Sequence, residues 1–244
     1  MKFKPFFRCC NDIVDILFPR CCAICGNTLT SGEKHICIKC YMRLPFTRWK
    51  GRQGNPMERI FWTYIPIRRA NALLHYYGGD ESRKTVLALK YYRRPQLGAY
   101  LGRLLAADLR GTDFFKDVDA LVPIPLSKHR QRKRGYNQSE LLAVGVSEVT
   151  GIPILRNAIK RMTDNPTQTH LSAEERKDNV RGIFQVVNGE QIRGKHILLI
   201  DDVLTTGATV LSCAGELSRQ EGVEISILSL FIAGNHGSGP QTGK

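Results

Sequence analysis

The sequence predicts an α/β fold, a largely parallel sheet flanked by helices, preceded by a small cysteine-rich module. Three observations lead there. From Ala70 to Ile232, short apolar runs of strand length alternate with stretches of helical spacing, the signature of βα units. One run, Ile197 to Ile200, has four apolar residues in succession, as expected of a strand buried on both faces. And two Cys-x-x-Cys pairs, Cys22/Cys25 and Cys37/Cys40, stand eleven residues apart near the N-terminus.

The elements follow in order. Ile13, Val14, Leu17 and Phe18 give one apolar face of a short helix that would pack on the cysteine module. Lys50 to Pro56 is a loop, and the expected division is 1–50 for the helix and metal module, 51–233 for the α/β domain, and 234–244 for a disordered tail of Gly, Pro, Ser and polar residues. Ala70–Tyr77 reads as a strand. Asp80–Tyr91 and Gln96–Leu109 read as helices, the second opened by Pro95. Ala120–Pro125 is a short strand running into a proline-stiffened loop. Gln138–Thr150 is helical with Asn137 as N-cap. Pro153–Leu155 and Ile183–Val187 are short strand candidates, separated by the long polar stretch Arg161–Asn179. The Ile197 strand, a helix over Val210–Gln220 and a last strand over Ile225–Ile232 complete the chain.

Composition narrows the function. The chain has 244 residues and a formal net charge of +14, which predicts an anionic partner: a phosphorylated metabolite, nucleic acid or an acidic surface. The charge is concentrated in Ser127–Gly135, where Lys128, Arg130, Arg132, Lys133 and Arg134 occur without an acid. No apolar run is long enough to span a membrane. Lys2, Lys4, Phe6 and Phe7 hint at a secretory signal, but Arg8, Asn11, Asp12 and Asp15 break its apolar segment, so a reducing cytoplasmic setting is expected.

Two Cys-x-x-Cys turns can each present two thiolates, and together they complete a tetrahedral Zn²⁺ site at Cys22, Cys25, Cys37 and Cys40. Four thiolates leave no open coordination position, so the expected role is structural. A segment of this size has too little core to stand without the metal. A disulfide framework is disfavoured without a secretory signal. Cys21 and His35 are substitute ligands; Cys9 and Cys10 look like helix residues, and Cys213 like a core residue.

The segment Ile197-Leu-Leu-Ile-Asp-Asp-Val-Leu-Thr-Thr-Gly-Ala-Thr209 carries the chemistry. A strand ends at an acidic pair, a Thr/Gly turn follows, and a helix begins. Helix-start N–H groups and hydroxyls suit a phosphate; two carboxylates suit vicinal sugar hydroxyls. The order resembles the phosphoribosyl pyrophosphate (PRPP) motif of type I phosphoribosyltransferases. Asp201 and Asp202 would then hold the ribose, and Thr205, Thr206, Gly207, Ala208 and Thr209 the 5-phosphate. The loop after the Ala120 strand, with Pro123, Ile124 and Ser127, then Lys128, Arg130 and Arg134, would take the pyrophosphate. The bland alternative for that basic run is a solvated helix face. The polar stretch with Gln168 and Arg176 suits a lid that excludes water. Gly189, Gly194 and Lys195 mimic a P-loop, but His196 replaces the Mg²⁺-binding hydroxyl and the segment precedes its strand.

Beyond this motif, the chain resembles the ComF family over almost its whole length. The resemblance rests on the cysteine module after Leu17-Phe18-Pro19, Leu89-Lys90-Tyr91, Val122-Pro-Ile-Pro125, Arg134-Gly-Tyr-Asn-Gln138, Gln168, Leu171-Ser172, Arg176, Asn179 and the Asp201-Asp202 motif, with no departure at these positions. It implies a type I phosphoribosyltransferase fold with an N-terminal zinc module and, for some relatives, a link to DNA uptake. Two functions remain open. One is an enzyme that binds PRPP with Mg²⁺ and transfers ribose-5-phosphate, releasing pyrophosphate. The other is a non-catalytic nucleotide- or single-stranded-DNA-binding factor on the same fold, with DNA-uptake proteins as partners. Trp49 and Trp62 could stack bases. No residue announces itself as the base that activates an acceptor.

Overall fold

The computed structural model of the chain describes residues 19–77, 80–91, 95–162 and 183–233. The expected lid residues Gln168 and Arg176, with Leu171, Ser172 and Asn179, lie outside these, as do Cys9, Cys10, the Ile13–Phe18 helix and the tail. The elements are α1 (Ile38–Met42), α2 (Pro56–Phe61), β1 (Ala70–Tyr76), α3 (Asp80–Tyr91), α4 (Pro95–Asp108), a 3-10 turn (Asp113–Phe115), β2 (Ala120–Pro123), α5 (Lys128–Arg134), α6 (Gln138–Thr150), β3 (Ile159–Arg161), β4 (Phe184–Val186), β5 (His196–Leu204), α7 (Ala208–Leu217) and β6 (Glu224–Ala233).

The main sheet has the order β1–β6–β5–β2, and every pairing is parallel. Its centre is the most apolar part of the chain. His196 to Ile200 of β5 and Ile225 to Ile232 of β6 are buried, because helices cover both faces. On one face Leu198, Ile200, Leu228 and Leu230 meet the apolar stripes of α4 and α6. On the other, Ile197, Leu199, Ile225 and Ile227 meet Phe61 of α2 and Val210, Cys213 and Leu217 of α7. Over Ile197–Ile200 of β5 the period-2 alternation of the strand assigns successive residues to the two layers. Cys213 is a core residue, as expected.

Helices α4 and α6 pack closely because glycine faces helix backbone at both contact points. A Cβ on Gly145 would run into the carbonyl oxygen of Ala99, and one on Gly102 into that of Leu142. Asn137 caps α6 by accepting from Ser139 N–H at 3.1 Å, and Gly151 ends it in the left-handed conformation.

Three details differ from the sequence expectation. The Ile183–Val187 strand does not join the parallel sheet; as β4 it pairs antiparallel with the unforeseen β3 in a separate two-stranded sheet. Pro153–Leu155 makes a bridge, Ile154 to Leu121, beside β2. And β5 does not stop at the acidic pair. Val203 and Leu204 still pair with Phe231 and Ile232 of β6, so both carboxylates stand on the strand itself.

The cysteine module is continuous with the domain. Thr47 N–H donates to Leu73 O at 2.9 Å and His75 N–H to Pro45 O at 2.8 Å, so the module's last residues extend the sheet edge at β1. Cys22, Ile24, Leu29, Ile36 and Leu44 share one apolar cluster with Leu73, Leu74 and α4, and the His35 ring lies 5.2 Å from that of Tyr100. Among the described residues, no helix is long and apolar enough to cross a membrane.

Candidate functional site

Strand direction determines where the site lies. After β2 the chain leaves through α5 and α6 toward Ile154; after β5 it leaves through α7 toward β6. The two connections depart to opposite sides, and in parallel sheets such a divergence opens a crevice beyond the carboxyl ends of the strands. Pro123 pairs with Ile200, and Ile124 N–H donates to Ile200 O at 3.0 Å. The loop after β2 is thereby beside the acidic pair, although some eighty residues separate them in sequence.

Asp201 is buried. Its Oδ1 accepts from Asp202 N–H at 2.9 Å and from Ser139 Oγ at 3.3 Å. Loss of water pushes its carboxyl up to about 7, and the Asp202 charge adds to the shift; the Asp202 N–H, Lys90 and Ser139 oppose it. Asp202 Oδ2 lies 3.3 Å from Lys90 Nζ, both side chains largely covered. This is a charge contact without an aligned hydrogen bond, and it leaves the oxygen's acceptor capacity unused.

Beyond Leu204 the chain turns through Thr205 and Thr206 to Gly207. These threonines, Ala208 and Thr209 are exposed, while Gly207 is buried over Ile60 and Phe61 of α2. Gly207 has φ +79, so the turn needs glycine for its backbone rather than for lack of space. It is also the N-cap of α7 and offers no side chain to the helix's first N–H groups. Thr206 Oγ1 accepts from Ala208 N–H at 3.4 Å. Asp201, Val203, Leu204, Thr205, Gly207, Ala208, Thr209 and Val210 line one shallow pocket.

On the other side, Pro123 and Ile124 are buried. The Ile124 N–H is engaged in the sheet, and its carbonyl accepts from Asn137 Nδ2 at 3.0 Å. All described peptide bonds here are trans. The basic run is helix α5, capped by buried Ser127, whose Oγ accepts from Arg130 N–H at 3.3 Å. Lys128, Arg130, Arg132 and Lys133 are exposed; Arg134 Nη1 donates to Gln138 Oε1 at 2.8 Å.

Two residues of the acidic centre were not singled out as site residues from the sequence. Ser139 looks like an ordinary helix residue after an N-cap. Lys90 stood only within Leu89-Lys90-Tyr91, and its contact with Asp202 arises from tertiary packing. Trp49 stacks edge-on against His75, and Trp62 is exposed.

The cysteine pairs meet as expected. The sulfurs of Cys22, Cys25, Cys37 and Cys40 all lie within 4.8 Å of one another, a set that could hold a metal such as zinc. Cys25 Sγ and Cys37 Sγ are 3.7 Å apart, close to the edge of a tetrahedron with arms of about 2.3 Å. Ile24 N–H at 3.5 Å and Cys37 N–H at 3.3 Å donate to the Cys22 sulfur, the support a thiolate requires. Cys21 instead donates to Pro19 O, and His35 packs on Tyr100.

Parallel sheet, divergent crevice and Thr/Gly turn together define a phosphoribosyltransferase-type domain, and the phosphoribosyl transferase domain family matches residues 108–243, more than half of the chain. Competence protein F of Haemophilus influenzae is 39% identical over 217 residues, covering 83% of this chain and 92% of that protein. DNA utilization protein YhgH of Escherichia coli is 29% identical over 212 residues, covering 86% and 88%. Among solved structures, the adenine phosphoribosyltransferase of Leishmania tarentolae is similar with a TM-score of 0.38 at 15% identity, over 63% of this chain and 77% of that one. The chain belongs to the ComF family of competence and DNA-utilization proteins, built on a phosphoribosyl transferase domain.

Proposed function

We propose that the chain binds PRPP at the carboxyl end of β5 and transfers its ribose-5-phosphate with release of pyrophosphate. One observation carries this reading: an acidic pair, with a buried acceptor oxygen that lacks an aligned donor, stands one turn before a helix N-terminus whose cap is a bare glycine. Vicinal ribose hydroxyls would donate to Asp201 and Asp202. The 5-phosphate would lie against Thr205–Thr209, where N–H groups, hydroxyls and the α7 dipole favour negative charge. Catalysis by such a site rests on positioning and on fixed charges rather than on a covalent intermediate.

The pyrophosphate would be received by the loop after β2. Ile124 N–H is already engaged and Pro123 and Pro125 have none, so the load falls on Ser127 and the cations Lys128, Arg130 and Arg134. Among the described residues, the cysteines form the sole cluster with metal-ligand geometry. Mg²⁺ would be held by diphosphate and ribose oxygens, with several waters retained, and would supply charge neutralisation on the leaving group. Zn²⁺ on Cys22, Cys25, Cys37 and Cys40 would be structural: four thiolates saturate it.

A second reading has its own support. The exposed cations of α5 and the names of the relatives, competence and DNA utilization, fit a cleft that receives a single strand. Pyrophosphate release from PRPP, measured against a panel of nucleobases and amines, separates the two. Turnover with any acceptor supports transfer. PRPP binding without turnover, together with salt-dependent single-strand binding, supports the second reading.

A further inference from the structure

Lys90 lies in the last turn of α3, more than a hundred residues before Asp202 in sequence. Yet its ammonium lies 3.3 Å from Asp202 Oδ2, with the side chains only 20% and 13% exposed. An enclosed ion pair lacking a well-aligned hydrogen bond contributes little to stability, because desolvation consumes most of the attraction. Its place on a central strand, two residues before the carboxyl end, points instead to use.

The surroundings of Lys90 sharpen the point. Tyr136 Oη donates to Leu89 O at 2.7 Å, fixing the backbone that carries Lys90. Asn137 Nδ2 donates to Ile124 O at 3.0 Å, fixing the loop after β2. Ser139 Oγ donates to Asp201 Oδ1 at 3.3 Å, fixing the acidic pair. The turn after α5 and the first turn of α6 thus tie together the lysine, the basic side of the crevice and the carboxylates.

We propose that Lys90 is an exchangeable counter-ion that sets the site's preference for a diphosphate-bearing ribose. In the free chain it neutralises Asp202. When a ribose hydroxyl takes Asp202 Oδ2, the ammonium turns on its flexible stem to the diphosphate on C1. The exchange keeps the enclosed cation paired throughout, and a ribose lacking the diphosphate offers it no new partner. The proposal rests on the ribose-phosphate reading of the β5 site and adds the residue that discriminates between ligands there.

The test is calorimetry with three probes, inorganic pyrophosphate, ribose-5-phosphate and PRPP, each with Mg²⁺, on the full chain and its Lys90→Gln and Lys90→Arg variants. Lys90→Gln is expected to weaken pyrophosphate and PRPP by at least about tenfold, leaving ribose-5-phosphate within about threefold or tighter. Lys90→Arg should restore most of the loss. If Lys90→Gln does not fold, Lys90→Met, which keeps an apolar stem, is held to the same outcomes. Equal losses for ribose-5-phosphate and PRPP, or none for pyrophosphate, overturn the proposal. A native chain that binds pyrophosphate but not ribose-5-phosphate overturns the ribose cradle instead, and Lys90 is then judged on pyrophosphate. A native chain that binds no probe overturns both.

Discussion

Asp201 concentrates the conflict between stability and use in one residue. It is buried, its carboxyl is raised to about 7, and the causes are lost hydration first and the Asp202 charge second. An unfolded Asp releases its proton near pH 3.9. Between roughly pH 4 and 7 the folded chain therefore holds a proton that the unfolded chain has lost, and stability falls as pH rises through that window. Asp201→Asn removes the penalty. We expect it to stabilise the chain at pH 8 by on the order of 2 kcal/mol, with the gain fading by pH 4–5, while ribose-phosphate affinity drops. Melting curves at the two pH values check this; a variant less stable than the native chain at pH 8 contradicts it.

At the scale of elements, the close approach of α4 and α6 makes a sharp prediction. Gly145→Ala directs a methyl group at the Ala99 carbonyl and should cost about 2–3 kcal/mol. Gly215→Ala, inside α7 where a Cβ meets nothing within 4 Å, should be neutral or stabilising by about 0.5–1 kcal/mol. Denaturant midpoints of the two variants decide it, and similar effects for both would contradict the packing described. Which elements could be read from the sequence follows a similar logic. β5, β6, α4 and α6 announced themselves because long apolar periodicity is a local signal. The extension of β5 past Asp202 did not, since Val203 and Leu204 are held by pairing with β6. β3 did not either, because Ile159-Lys160-Arg161 is too short and polar to register. In the site, Asp201, Asp202 and Thr205–Thr209 are contiguous and were legible. Lys90 and Ser139 reach the same carboxylates from distant helices, and only the fold brings them there.

At the scale of the molecule, the cysteine module and the α/β domain share one apolar cluster and an edge of the sheet. Metal loss should therefore reach beyond the module. Chelation, or Cys25→Ser, is expected to lower the melting temperature of the whole chain by more than about 5 °C and to release one zinc per chain, measured by elemental analysis. An unchanged melt with retained zinc contradicts the assignment. The positive charge, the divergent crevice and the acidic pair at the end of β5 all bear on one claim, that this end of the sheet holds a phosphorylated ribose. Calorimetric titration of PRPP with Mg²⁺ into the native chain and into the Asp201→Asn/Asp202→Asn double variant tests that claim most directly. The native chain should bind, and the folded double variant should bind at least about a hundredfold more weakly, since two charge-assisted hydrogen bonds are lost. Equal affinity in a folded double variant would contradict it.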